Sequence, residues 1–91
     1  MRLVRPRQQR FAPRKFREMV LYIIRECASD PEFNFVKLAL ILYHADMRSY
    51  LETGRSITGA TYIRHEVGPV PKQLPGVIED MLARGEISLT S

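Results

Sequence analysis

The segment from Asn34 to Gly54 constrains the fold more than any other part of the chain. Its apolar residues form two overlapping stripes at helical spacing: Phe35, Leu38, Ala39 and Leu42 on one side, and Val36, Leu40, Tyr43, Met47 and Tyr50 on the other. A helix apolar on more than one side is contacted from several directions, so a helix over about 35–53 must be central, with the rest of the chain built around it. Asn34 supplies an N-cap and Gly54 a residue at which positive φ is inexpensive. With only 91 residues available, there is room for one small domain.

A second helix precedes it. Phe16, Met19, Val20, Ile23, Ile24 and Cys27 recur at one-face helical spacing and form a core-facing stripe. Ser29, Asp30 and Pro31 separate the two helices. Leu74, Val77, Ile78, Met81 and Leu82 predict a third helix, with Pro75 tolerable in its first turn and Gly85 ending it. Between Arg55 and Val70 the helical period vanishes, and β-branched and aromatic residues alternate among Gly59, Gly68 and Pro69. This predicts a short β-ribbon near residues 56–67, with Ile63, His65 and Val67 on one side and Tyr62, Arg64 and Glu66 on the other. Ile87 and Leu89 in Glu86–Thr90 predict a last strand paired with that ribbon and presenting an open edge. The expected fold is therefore mainly α with a small β-ribbon, an α+β domain of about three core helices.

Charge is distributed unevenly. Arg2, Arg5, Arg7, Arg10, Arg14, Lys15 and Arg17 are unopposed by any acid through residue 17, while seven basic residues face all ten acids beyond it, a net −3 for residues 18–91. The expectation is a basic flexible arm over 1–14 joined to a single mildly acidic domain over 15–91. Such an arm attracts nucleic acid, an acidic protein surface or anionic lipid, or is simply a solvated tail.

The longest apolar stretch, Val36–Tyr43, is interrupted by Lys37 and falls far short of the ~20 residues that cross a bilayer. The Arg-rich start lacks the apolar core of a secretory signal. A single cysteine, Cys27, excludes an internal disulfide and suits the reducing cytosol, so the expected location is cytoplasmic, without membrane association.

Enzymatic signals are weak. His44 and Asp46 are two apart on a helix and diverge, His65 is distant, and no HExxH, CxxC, GxGxxG or P-loop spacing occurs. Cys27 sits on an apolar face, where thiols are inert. No enzyme, metal or cofactor is expected. Asp46 is the outlier: an acid on an otherwise apolar helix, expected to accept hydrogen bonds from backbone amides of the following segment.

Lys37-Leu38, Leu42-Tyr43-His44-Ala45-Asp46, Gly54-Arg55-Ser56-Ile57-Thr58-Gly59-Ala60-Thr61-Tyr62 and Gly68-Pro69-Val70-Pro71 together resemble the Panacea domain, also called the SocA-like antitoxin domain. That family's pattern is a helix with Tyr-x-Ala-Asp, then Gly-Arg-x-Ile-Thr-Gly-x-x-Tyr, then Gly-Pro-Val-Pro before another helix. The resemblance runs from about Phe16 to Ile87. It marks Tyr43, Ala45, Asp46, Gly54, Thr58, Gly59, Tyr62, Gly68 and Pro69, for which scaffold roles are expected, Asp46 tying the ribbon to the central helix through Thr58 or a backbone amide. His44 departs from the aromatic or aliphatic residue usual there. The chain also stops at Ser91, where family members generally continue, so a short member, a fragment or half of a split protein is expected.

The resemblance implies an antitoxin of a toxin-antitoxin system, in bacteria or phage defence, that neutralises a cognate toxin by direct contact. Tyr50, Arg55, Tyr62, Arg64, Glu66, Lys72 and Gln73 are the candidate partner-binding residues, with Tyr50 and Tyr62 as aromatic anchors or core and the ribbon edge as a strip for β-augmentation. The alternative is a winged-helix-like DNA-binding regulator that uses Arg2, Arg5, Arg7, Arg10 and Arg14. Homo-oligomerisation is open under either reading.

Overall fold

The computed structural model describes residues 9–89. Its elements follow in the order α1 (Pro13–Glu26), α2 (Phe35–Thr53), β1 (Tyr62–His65), β2 (Gly68–Pro71) and α3 (Leu74–Ala83). Each helix begins and ends where its chemistry directs. Pro13 opens α1 at a position that requires no N–H donor. The Asn34 side chain accepts from the Lys37 amide at 2.9 Å to cap α2, and Gly54, at φ 81°, ends it. At the end of α3, Gly85 donates to the Leu82 carbonyl and Glu86 to the Met81 carbonyl, the paired bonds of a Schellman stop around a glycine at φ 72°.

The core lies between the three helices and β2. Phe16, Val20 and Ile23 of α1 meet Leu38, Ala39 and Leu42 of α2, Val70 of β2, and Leu74 and Met81 of α3. Helix α2 is central as expected, packed on α1 and on β2. Of its two apolar stripes, the first is buried at Leu38, Ala39 and Leu42 and exposed at Phe35, while Met47 and Tyr50 of the second are exposed. An ion-paired fork joins the outer helices: Arg17 donates from Nη1 to Asp80 at 2.7 Å and from Nη2 to Glu86 at 2.6 Å.

The ribbon lies further along the chain than the 56–67 expected. β1 and β2 pair antiparallel, Tyr62 opposite Pro71 and His65 opposite Gly68, around a two-residue turn at Glu66-Val67. The Lys72 amide donates to the Thr61 carbonyl, and alternation from that bond places Pro69 and Pro71 at positions that require no ladder N–H. Residues 56–61 do not form a strand because their hydroxyls offer the backbone other partners: Ser56 Oγ accepts from the Gly59 amide and Thr58 Oγ1 from the Ala60 amide. The inward residue of β1 is Tyr62, while Ile63 and Val67 are exposed. The expected last strand is also absent among the described residues. Glu86 is committed to the α3 stop and to Arg17, Ile87 packs on the core, and Leu89 is exposed.

Of the expected arm, Arg2, Arg5 and Arg7 lie outside the described residues. Residues 9–14 are not a free tail: α1 already begins at Pro13, the Ala12 amide donates to the Thr58 carbonyl at 2.7 Å, and Phe11 packs edge-on against Phe16. This N-terminal strap crosses the 56–59 loop at Gly59 (φ 70°), where a Cβ would stand 2.1 Å from the Arg10 carbonyl oxygen. Gly54 has the same sign of φ and open space around it.

Gly54→Ala should therefore cost about 1–2 kcal/mol, the ordinary penalty for an L side chain at positive φ. Gly59→Ala should cost at least about twice as much, because the strap must also move. Urea unfolding midpoints of the two variants check this; equal losses would show that the strap is not seated on Gly59.

Candidate functional site

Asp46 lies one helical turn beyond Leu42 and continues the buried stripe of α2, with only 3% of its surface exposed. A carboxylate there is tolerable only if its oxygens are bonded. Oδ1 accepts from the amides of Ile57 (2.9 Å) and Thr58 (3.0 Å), and Oδ2 from Thr58 Oγ1 (2.5 Å) and the Tyr62 hydroxyl (2.7 Å). The four donors come from one short stretch of chain, so this single side chain fastens the whole α2–β1 connection to α2. Burial first, and then the hydrogen bond to Asp46, push the Tyr62 hydroxyl well above the usual tyrosine range, so it stays a donor at alkaline pH where a free tyrosine ionises.

The rest of the loop is held from both sides. Ser49 and Thr53, at the end of α2, donate hydroxyls to the Arg55 carbonyl at 2.8 and 3.1 Å. The Gln9 side chain acts as a detached peptide unit: its Nε2 donates to the Ser56 carbonyl at 2.8 Å and its Oε1 accepts from the Ser56 amide at 3.0 Å.

Beside this knot is an open hollow of about 320 Å³, mostly apolar, walled by Tyr43, Met47, Tyr50, Ala60 and Tyr62, with Asp46 at its base. Tyr43 and Tyr62 meet edge-on, ring centroids 5.2 Å apart at 76°. Tyr50 is 55% exposed at the rim. Because both Asp46 oxygens are occupied by internal donors, the hollow offers shape and aromatic faces for binding.

Of the residues marked by the family resemblance, Tyr43, Asp46, Thr58, Gly59 and Tyr62 meet at the knot. Gly54 ends α2, Gly68 and Pro69 open β2, and Ala45 is half-buried on α2. Among the candidate partner-binding residues, Tyr50 and Tyr62 line the hollow and Arg55 lines a neighbouring one. Arg64, Glu66 and Lys72 are exposed on the ribbon and its exit, and Gln73 is half-buried ahead of α3; none of these four lines the hollow. His44 and His65 are exposed, Cys27 packs against the core, and no group of three metal-binding side chains gathers among the described residues. Sequence reasoning missed Gln9, Met47 and Ser56 as site residues. Ser56 had a local signal, a hydroxyl three residues before a glycine amide, whereas Gln9 had none.

Compared with known families, residues 38–89 match the antitoxin SocA-like, Panacea domain. The match covers more than half of the chain, and the chain belongs to this family. None of the curated proteins and none of the solved structures compared with it matches.

Asp46→Ala leaves two amides and two hydroxyls without their acceptor and should cost about 3–5 kcal/mol. Calorimetry checks the loss; a change within about 0.5 kcal/mol would mean that water replaces the carboxylate without penalty. Tyr62 supplies a pH test. Unfolded tyrosine ionises near pH 10, while the folded group keeps its proton, so above about pH 10 the unfolded state binds fewer protons and stability falls as pH rises. The urea midpoint of the wild type should decline between about pH 9 and 11 with a slope that Tyr62→Phe lacks.

Proposed function

We propose that this protein is the antitoxin of a toxin-antitoxin pair, acting in the cytosol and neutralising a toxin encoded beside it by direct contact through the face around the Tyr43–Tyr62 hollow. Membership of an antitoxin-like family supports the class. The observation that carries the choice of face is Tyr50, more than half exposed beside Met47 on a surface whose backbone is fixed from beneath by Asp46. Exposed aromatic residues on a rigid support are the usual anchors of protein interfaces, because little conformational freedom remains to be lost on binding. No chemical step is required of the antitoxin.

The DNA-binding alternative is the weaker reading: of its five arm arginines, Arg10 and Arg14 lie among the described residues. Arg14 is paired with Glu18, and α3 carries Glu79 and Asp80, a poor surface for a phosphate-lined groove.

Co-expression with the product of the adjacent gene, scored by growth rescue and co-purification, tests the proposal. Tyr50→Ala and Met47→Ala should each weaken the complex by about 1–2 kcal/mol with the melting temperature unchanged, whereas Asp46→Ala should lose both stability and rescue. Full rescue by the Tyr50→Ala/Met47→Ala double variant would move the interface elsewhere.

A further inference from the structure

Three cations separated in sequence line one open hollow of about 470 Å³: Arg10 of the strap, Lys15 of α1 and Arg55 of the loop after α2. No acid lines it. Arg14, Arg17, Lys37, Arg48 and Arg84 each pair with a carboxylate; among the described residues Arg10, Lys15 and Arg55 pair with none, as do Arg25, Arg64 and Lys72, which do not line this hollow. The hydroxyls of Ser49 and Thr53 at its wall are used in holding the Arg55 backbone, so the cations are what it offers a ligand. Gln9 and Ser56 line this hollow and the aromatic one alike, so their mutual hydrogen bonds form a partition between two adjoining compartments.

We propose that the two compartments form one bipartite docking site, the cationic hollow taking acidic side chains of a partner protein segment whose neighbouring aromatic or large apolar side chain enters the Tyr43–Tyr50–Tyr62 hollow. This rests on the protein-binding reading above and gives its partner a chemistry. Three like charges gathered without counter-charge repel one another, and carboxylates relieve that repulsion. Nucleic acid is the poorer occupant. A phosphate backbone needs cations spread along a path, whereas Arg10, Lys15 and Arg55 line one hollow that adjoins a mostly apolar, aromatic one.

The test is an amide chemical-shift titration of the full chain with a synthetic acetyl-Glu-Glu-Tyr-Glu-amide peptide, its Gln-Gln-Tyr-Gln counterpart and a random-sequence DNA duplex. The acidic peptide should shift Arg10, Lys15, Arg55 and Ser56 together with Tyr50 and Ala60, and bind roughly fivefold to tenfold more tightly than the neutral one. The Lys15→Gln/Arg55→Gln variant, altered only at exposed side chains, should erase that difference and weaken growth rescue.

Shifts spread equally over Arg25, Arg64, Lys72 and Arg84 would overturn the proposal, as would a preference for the duplex at these same residues. If the wild type rescues growth and the double variant rescues equally, the cationic compartment fails while the antitoxin reading stands. If the wild type does not rescue, the antitoxin reading fails and the titration still decides the site.

Discussion

A single buried carboxylate organises the functional half of this molecule. Asp46 has no cation among its hydrogen-bond partners; its charge is met by two amides and two hydroxyls, all from residues 57–62. Without it, residues 57–62 would lose four of the bonds that fix the connection between α2 and β1, and each residue so freed would cost about 1–2 kcal/mol to order again on binding. With it, the linker is a fixed floor on which the strap residues Gln9–Ala12 rest and from which Tyr62 is aimed at Tyr43.

The consequence for function is preorganisation. The aromatic hollow and the cationic hollow stand on either side of the Gln9–Ser56 contact, and both are formed by backbone that is already fastened before any partner arrives. A binding face prepared in this way gives up less freedom on association than a loop that must fold onto its target. It also links stability to binding. Substitutions beneath the floor act on the fold and thereby on the interface, while substitutions at the rim act on the interface alone.

How much of this was legible in the sequence depended on the range of the interactions. The helices were, because period and caps are local: Phe16, Val20 and Ile23, the Asn34 cap and the Gly54 and Gly85 stops all lie where the pattern puts them. Asp46 was conspicuous as an acid on an apolar helix, although Tyr62 as its second hydroxyl partner was not anticipated. The ribbon was displaced because β-branched residues in 56–61 look like a strand, while the hydroxyls of Ser56 and Thr58 satisfy the backbone locally instead. Gln9 with Ser56 and Arg17 with Asp80, 47 and 63 residues apart, leave no local trace; the first turns the described end of the expected arm into a strap, and the second makes a cation just beyond that arm a helix clamp. The missing last strand has the same kind of cause, since Arg17 engages Glu86 from across the fold.

Residue-resolved amide hydrogen exchange addresses the central claim most directly. If Asp46 fastens the loop as described, the Ile57 and Thr58 amides should exchange as slowly as those in the middle of α2, opening only with global unfolding. Exchange of these two amides at the rate of an unprotected loop, with α2 still protected, would contradict it.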